Sequence, residues 1–255
     1  MSNSTASVTL VSSPAGISKT VSAVNGVATF SGLSLTVDGS YSLTSTASGL
    51  TSATSNSFSI SSAAANKLVF STQPAGTTAG ATMASVVVKV QDQYGNPISG
   101  STASVTLNSS PSGISKIVAD SGGTATFTGL VLTSAGSYTL TASSSGLSSA
   151  TSNSLSITAA TANKVKFTTQ PVSATAGSKM AAVVVQVQDT YGNLVTTSSA
   201  SVTLKSTPTA ISTSAHASSG VATFSNLVIN TSGTYTFAAT STGLTSATSN
   251  SFTIR

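Results

Sequence analysis

The sequence predicts an all-β protein made of two-sheet sandwiches repeated in tandem. Three observations indicate this fold class: a composition rich in valine, serine and threonine, whole segments that recur every 97 residues, and short runs in which apolar and polar residues alternate. No segment has the apolar stripe with a 3.6-residue spacing that is typical of an amphipathic helix.

The recurrence covers the whole chain of 255 residues and predicts its domain organisation. The run SVTL ends at Leu10, Leu107 and Leu204, and the run ATF ends at Phe30, Phe127 and Phe224. Both series advance by 97 residues each time, without a gap. We therefore expect an incomplete repeat over residues 1–64 and two repeats over 65–161 and 162–255, called below the first, second and third repeats.

Alternation of apolar and polar residues places the strands of the second repeat. The residues predicted to face inward are, in chain order, Leu68 and Phe70, Val86, Val88 and Val90, Val105 and Leu107, Ala125 and Phe127, Tyr138, Leu140 and Ala142, and Leu155 and Ile157. A further short segment lies at 114–119, and glycine-rich turns separate the strands. About seven short antiparallel strands in some 97 residues have the size and strand count of an immunoglobulin-like sandwich.

The aromatic residues, 5 Tyr and 8 Phe, all fall at positions of a strand or turn. They are expected in the core and at corners, which leaves none for a ligand-binding platform. Tyr41, Tyr138 and Tyr235 each open a strand near a glycine, where a tyrosine corner would place a buried ring with its hydroxyl bonded to the upstream backbone.

Two valine-rich strands stop at nearly identical motifs, DQYGN at Asp92–Asn96 and DTYGN at Asp189–Asn193. Each aspartate continues the inward parity of its strand, and we predict that its carboxylate accepts N–H bonds from the turn. Gly95 and Asn96, like Gly192 and Asn193, are the residue types most tolerant of positive φ. We interpret the motif as a structural corner, with Tyr94 and Tyr191 expected to cap one end of the sandwich, where the neighbouring repeat would meet it. The alternative is a cation site, with Asp92 and Asp189 as calcium candidates.

These segments resemble the bacterial immunoglobulin-like repeats of large cell-surface adhesins, of the Big or invasin–intimin type. The matching parts are the D-x-Y-G-N corner, the G-x-A-T-F strand and the A-G-S-Y-T-L-T-A strand, and the resemblance covers essentially the whole chain. It implies an immunoglobulin-like fold, a bacterial origin and an extracellular setting, in which such repeats form stalks that project a distal binding domain.

The first repeat lacks the two strands that open the other repeats, since residues 1–64 correspond to 98–161. Its inward residues, such as Val8, Leu10, Phe30 and Phe58, are expected to lose part of their cover. The favoured interpretation is a fragment cut without regard to domain boundaries. The alternative is an open groove that accepts a strand from another chain.

The chain has too few catalytic and charged groups for an enzyme, a zinc-binding protein or a nucleic-acid-binding protein. Charged residues make up 5% of the chain, cysteine is absent, and the single histidine, His216, lies in a serine-rich stretch. No pair of acids is placed for glycoside hydrolysis, and no Cys or second His joins His216 in a metal or nucleophilic site. The 9 Lys and Arg residues are spread along the chain, which argues against nucleic-acid binding.

Membrane insertion is not expected, because no apolar run approaches the length of a span. The first residues do not have the pattern of a signal peptide, so an exported protein would contain this chain as an internal piece.

We expect a non-enzymatic protein without cofactors: structural stalk repeats of a bacterial cell-surface or secreted, adhesin-like protein. Its expected partners are neighbouring repeats of the same chain. Two alternatives stay open: the repeats themselves bind a host surface or glycan, or they are accessory modules of an extracellular polysaccharide-degrading enzyme.

Overall fold

The computed structural model describes residues 3–255, so residues 1 and 2 of the predicted first repeat lie outside the described part. The second and third repeats each form an immunoglobulin-like β-sandwich, and no helix occurs in residues 3–255. Seven strands of three residues or more build each of these two sandwiches, as the alternation predicts. Within the described residues there is likewise no helix of the length and apolar character that a membrane span requires.

The strands of the first repeat are β1 Ser7–Ser13, β2 Ser18–Ser22, β3 Gly39–Ala47, β4 Ala53–Thr54 and β5 Phe58–Ile60. The strands of the second repeat are β6 Lys67–Thr72, β7 Thr77–Thr78, β8 Val86–Gln91, β9 Ser104–Ser110, β10 Ser115–Ala119, β11 Thr124–Phe127, β12 Gly136–Ser143, β13 Ala150–Thr151 and β14 Leu155–Thr158. The strands of the third repeat are β15 Lys164–Thr169, β16 Val183–Gln188, β17 Ser201–Thr207, β18 Ser212–His216, β19 Val221–Phe224, β20 Gly233–Thr240, β21 Ala247–Thr248 and β22 Phe252–Ile254.

Two sheets enclose the core of the second repeat. One has the order β10-β9-β12-β14-β7, with β13 also paired to β12, and the other has the order β11-β8-β6. All pairings are antiparallel except that of β14 with the two-residue strand β7, which is parallel. Inward residues of both sheets, including Val86, Val88, Leu107, Phe127 and Leu140, are fully buried in one apolar cluster. The third repeat has the same arrangement, with β18-β17-β20-β21 and β22 facing β15-β16-β19.

The first repeat differs, because it forms a single sheet with the order β2-β1-β3-β4 and with β5 on β3. The recurring ATF run predicts a strand ending at Phe30, yet Val27–Phe30 is not a strand in the structure. The reason is the absent partner: the equivalent strand β11 pairs with β8, and the first repeat has no counterpart of β8. Phe58 is 36% exposed, whereas its equivalent Leu155 is 4% exposed.

Candidate functional site

The aspartate of the first D-x-Y-G-N motif ties a turn together at the end of β8. Asp92 follows the last residue of the strand and is fully buried. Its Oδ1 accepts hydrogen bonds from the backbone N–H groups of Tyr94, at 2.9 Å, and Asn96, at 2.8 Å. A short acidic side chain that closes on the N–H groups two and four residues ahead holds the chain in a turn and ends the strand.

The second carboxylate oxygen of Asp92 reaches out of its own repeat. Oδ2 accepts a hydrogen bond from Asn96 Nδ2, at 2.7 Å, and one from the backbone N–H of Ala63, at 3.0 Å. Ala63 belongs to the segment that connects the first repeat to the second. The buried carboxylate therefore joins the corner of one repeat to the linker that precedes it.

Asn96 extends the connection to the preceding repeat itself. Its Nδ2 donates to the carbonyl oxygen of Thr36, at 2.7 Å, and its Oδ1 accepts from the backbone N–H of Asp38, at 3.1 Å. Both partners lie just before strand β3 of the first repeat. We call the set of Asp92, Asn96 and these backbone partners the first joint.

The same joint recurs between the second and third repeats, and we call it the second joint. Asp189 accepts from Tyr191 N, at 2.9 Å, Asn193 N, at 2.8 Å, Asn193 Nδ2, at 2.8 Å, and Ala160 N, at 2.9 Å. Asn193 donates to Thr133 O, at 2.8 Å, and accepts from Ala135 N, at 2.9 Å. The partners in the two joints are equivalent residues of successive repeats, so one geometry connects each repeat to the one before it.

Glycine is needed in the corner for its backbone conformation. Gly95 has a φ of 97° and Gly192 a φ of 91°, in the region that residues with a side chain rarely adopt. A Cβ atom at either position would meet no atom within 4 Å, so backbone geometry alone selects glycine there. The following amide can therefore turn back toward the aspartate.

The tyrosines of the motif are half-exposed, and one of them contacts the neighbouring repeat. Tyr94 is 56% exposed and Tyr191 is 48% exposed. The ring of Tyr191 lies against Gly80 of the second repeat, so closely that a Cβ atom added to Gly80 would overlap the tyrosine oxygen. Tyr191 is thus a side-chain contact across the second joint.

Substitution of Gly80 by alanine is expected to disturb this contact, and Gly177 provides a matched control. The two glycines are equivalent, with φ values of 79° and 76°, but a Cβ at Gly177 would meet nothing nearer than Asn230 Oδ1, at 3.8 Å. Both changes should destabilise their repeats by about 1–2 kcal/mol through the left-handed backbone. Only Gly80→Ala should also shift the NMR signals of the Tyr191 ring, and equal shifts in both variants would contradict this.

The three predicted corner tyrosines occupy equivalent places in the three repeats. Tyr41, Tyr138 and Tyr235 are each 4% exposed, and their hydroxyls donate to the carbonyl oxygens of Val37, Ser134 and Thr231, all at 3.0 Å. Each bond closes the loop just before β3, β12 or β20. Because Thr36, Asp38, Thr133 and Ala135 lie in these same loops, the tyrosines hold in place the backbone groups that the joint asparagines contact.

The joint carboxylates are held in their ionised form. Burial acts to raise the pKa of Asp92, but hydrogen bonds from the Asn96 side chain and from the N–H groups of Ala63, Asn96 and Tyr94 outweigh it and lower the pKa to about 2. Burial likewise acts to raise the pKa of Asp189, and the equivalent bonds from the Asn193 side chain and from the N–H groups of Ala160, Asn193 and Tyr191 outweigh it, so that this pKa is also lowered. An ionised carboxylate accepts these bonds more strongly than a neutral one, so the joints are strongest when both groups are charged.

Acidification is expected to weaken the joints within a defined pH window. A carboxyl whose pKa is lowered on folding contributes stability above its unfolded value, 3.8, and that contribution disappears as the pH falls toward 2. We expect the urea midpoint to stay level from about pH 7 to pH 5 and to fall from about pH 4 to pH 2. The double variant Asp92→Asn, Asp189→Asn should lack most of this decline, and an undiminished decline would contradict the assignment.

The joint carboxylates are poorly suited to calcium. Each oxygen of Asp92 and Asp189 already faces two N–H donors, which present positive charge where a cation would sit. Residues 3–255 contain no cluster of three or more His, Cys, Asp or Glu side chains. His216 is exposed on strand β18, with Nδ1 3.5 Å from the carbonyl oxygen of Ser199.

A cavity of about 230 Å³ lies beside the second joint. Its lining residues are Ala135, Ile157, Thr158, Ala159, Leu194, Val195, Thr196 and Thr197. None of them is charged or has an acid–base group that titrates near neutral pH. The lining of this cavity therefore offers no general acid or base that titrates near neutral pH.

Similar proteins are found by structure alone. The beta-glycosidase from Bacteroides vulgatus covers 75% of this chain at 14% identity, with a TM-score of 0.32, and the chain spans 25% of its length. The chicken CNTN1 FN1-FN3 domains cover 100% at 13% identity, with a TM-score of 0.33 and 90% of their own length. The Drosophila OTK extracellular domains 3-5 cover 99% at 14% identity, with a TM-score of 0.29 and 86% of their own length.

No protein-family model matches the chain, and no curated protein matches it in sequence. The immunoglobulin-like fold follows from the strand order and two-sheet packing of the second and third repeats. The partners of Asp92 and Asn96 outside their own repeat were not predicted from the sequence. Those partners are backbone groups, which leave no residue signature, and only the motif's position at each repeat boundary points to them.

Proposed function

We propose that these repeats are non-catalytic spacer modules. They would form the stalk of a bacterial adhesin-like protein that is either attached to the cell surface or secreted. The observation that carries the proposal is the repeated joint, in which Asp92 with Asn96 and Asp189 with Asn193 make equivalent hydrogen bonds to the preceding repeat and linker. A spacer needs reach and a fixed direction, and no substrate.

A repeated joint supplies both properties. When every repeat contacts only its neighbours through the same bonds, each added copy extends the array by the same length. Each copy also has the same orientation relative to the copy before it. Three bonds cross each boundary, one from the linker to the aspartate and two at the asparagine. The joint connects a carboxylate, an amide side chain and backbone groups directly by hydrogen bonds, and a connection of this kind needs no metal ion.

The alternative that the repeats themselves bind a glycan is less well supported by the exposed side chains. Glycan recognition usually employs exposed aromatic side chains, and the exposed aromatics in residues 3–255 are Tyr94, Tyr191 and Phe58. The two tyrosines stand at separate joints, 97 residues apart in the chain. Several outward hydroxyls bond to each other between strands, such as Thr9 with Thr20, at 2.8 Å, and Thr203 with Ser214, at 2.9 Å.

The test is the dependence of length on copy number. Proteins with one, two and three further copies of residues 65–161 inserted after Thr161 should show a maximum dimension, in small-angle X-ray scattering, that grows by an equal step for each copy. Growth close to the square root of copy number would indicate flexible joints and would count against the spacer. Saturable binding of the same proteins on a glycan array would favour the adhesive alternative instead.

A further inference from the structure

The first repeat carries an apolar groove on the inner face of its single sheet. The groove has a volume of about 220 Å³ and is lined by Ile17, Leu33, Ser34, Leu35, Leu43, Phe58 and Ile60. Except for Ser34, these lining residues correspond to buried core positions of the second repeat: Ile114, Leu130, Leu132, Leu140, Leu155 and Ile157. The groove is therefore the inner face of one sheet of a sandwich, without a second sheet packed against it.

The two complete repeats show what fills this volume. In the second repeat the cover comes from β6 and β8, with Leu68, Phe70, Val86, Val88 and Val90 pointing inward. In the third repeat it comes from β15 and β16, with Val165, Phe167, Val183, Val185 and Val187 in the same places. Both covers are two antiparallel strands whose inward residues are large and apolar.

The first repeat also keeps the backbone edge that such a cover needs. In the second repeat, Ala125 and Phe127 pair with Val88 and Val86 of β8. Their equivalents Ala28 and Phe30 lie in a segment that forms no strand. The turn before that segment is already closed, because Val24 and Val27 exchange two hydrogen bonds, at 2.9 and 3.0 Å, as Ser121 and Thr124 do in the second repeat, at 3.0 and 3.2 Å.

We propose that this face is a docking site for a β-segment of the kind that spans Lys67–Gln91. Its equivalent of β8 pairs antiparallel with Val27–Phe30, and its equivalents of β6 and β8 fill the groove with their alternate apolar side chains. The register follows from β8 and β11, so the segment's equivalent of Val88 faces Ala28 and its equivalent of Val86 faces Phe30. Backbone bonds supply affinity, and the groove selects a segment with large apolar residues at every second position.

The probe is a synthetic peptide with the sequence of residues 65–97, added to the 255-residue chain. We expect saturable one-to-one binding and a slowing of amide hydrogen exchange in Val27–Phe30 by about tenfold or more, with the third repeat unchanged. A peptide with Val88→Asp should not bind, because this side chain points into the groove. A peptide with Val87→Thr should bind, because Val87 points away from the core.

Equal protection by the Val88→Asp peptide would overturn the proposal. So would concentration-dependent dimers of the chain alone that protect Val27–Phe30 without any peptide, since a second copy would then close the face. If the free peptide associates with itself, the same segment is joined ahead of residue 1 instead. The joined chain must then protect Val27–Phe30 as strongly as Thr124–Phe127, and failure to do so contradicts the docking site.

Discussion

Replacement of Asn193 by alanine is expected to release the third repeat from the second while both sandwiches stay folded. The change removes the amide that donates to Thr133 O, at 2.8 Å, and accepts from Ala135 N, at 2.9 Å. It also removes one of the four donors to Asp189, at 2.8 Å. Across the boundary, only the bond from Ala160 N and the contact of Tyr191 with Gly80 would remain of the contacts described above.

The size of the effect follows from the bonds that are lost. A hydrogen bond to a neutral group contributes about 1 kcal/mol, so the two cross-boundary bonds together favour the closed joint by about 2 kcal/mol, or roughly thirtyfold in population. Within the third repeat the change removes one donor to Asp189, which should cost that repeat about 1 kcal/mol and lower its melting temperature by about 4–8 °C while it stays folded. The larger effect is therefore expected on the orientation of the two repeats.

Residual dipolar couplings of the two repeats measure the orientation directly. In the unmodified chain one alignment tensor should fit the second and third repeats together, and Asn193→Ala should need two tensors. Asn153→Ala is the matched control, because Asn153 is exposed and its side chain takes no part in a joint. A single tensor for Asn193→Ala would show that the asparagine does not hold the joint.

A substitution of Asp189 should act on both the joint and the fold. Asp189→Ala removes four acceptor bonds, of which three belong to its own corner. These donors are part-buried, and each costs up to about 1–3 kcal/mol when it is left without a partner. The third repeat should therefore lose more stability than in Asn193→Ala, in addition to its fixed orientation, which distinguishes the role of the aspartate from that of the asparagine.

The sequence was sufficient to place the strands of the complete repeats. Alternation in a strand such as β8 reflects burial of every second side chain, and Val86, Val88 and Val90 are indeed fully buried. The 97-residue recurrence then transferred the same assignment to the third repeat. Local pattern is informative there because the side chains themselves decide which face is buried.

The alternation of apolar and polar residues gave a wrong prediction where a strand depends on a partner strand that is distant in sequence. Val27–Phe30 has the same alternation as Val221–Phe224, but only the latter has β16 beside it and forms a strand. A strand needs hydrogen bonds to a neighbour, and an isolated strand is not stable in water. The motif could likewise predict that Asp92 caps a turn, but not that Ala63 would donate to it, since any residue but proline offers that N–H group.

The replacement of phenylalanine by alanine at the three equivalent positions is expected to give very different costs. Phe127 is fully buried and Phe224 is 3% exposed, whereas Phe30 is only partly buried. Deletion of a buried phenylalanine ring destabilises a protein by about 3–5 kcal/mol. We expect that cost for Phe127→Ala and Phe224→Ala, each confined to its own repeat, and less than about 1 kcal/mol for Phe30→Ala.

The three phenylalanines end the same ATF run. A difference in the stability cost of the three variants therefore reflects whether a second sheet covers the ring, and does not reflect the type of residue replaced. Hydrogen exchange of Leu10, Leu107 and Leu204 measures the opening of each repeat, because these residues occupy equivalent places on β1, β9 and β17. A cost at Phe30 equal to that at Phe127 would mean that the first repeat already has a second layer in solution. A small cost at Phe30 that rises to the value of Phe127 when the segment 65–97 is joined ahead of residue 1 would show that those two strands convert an open sheet into a closed sandwich.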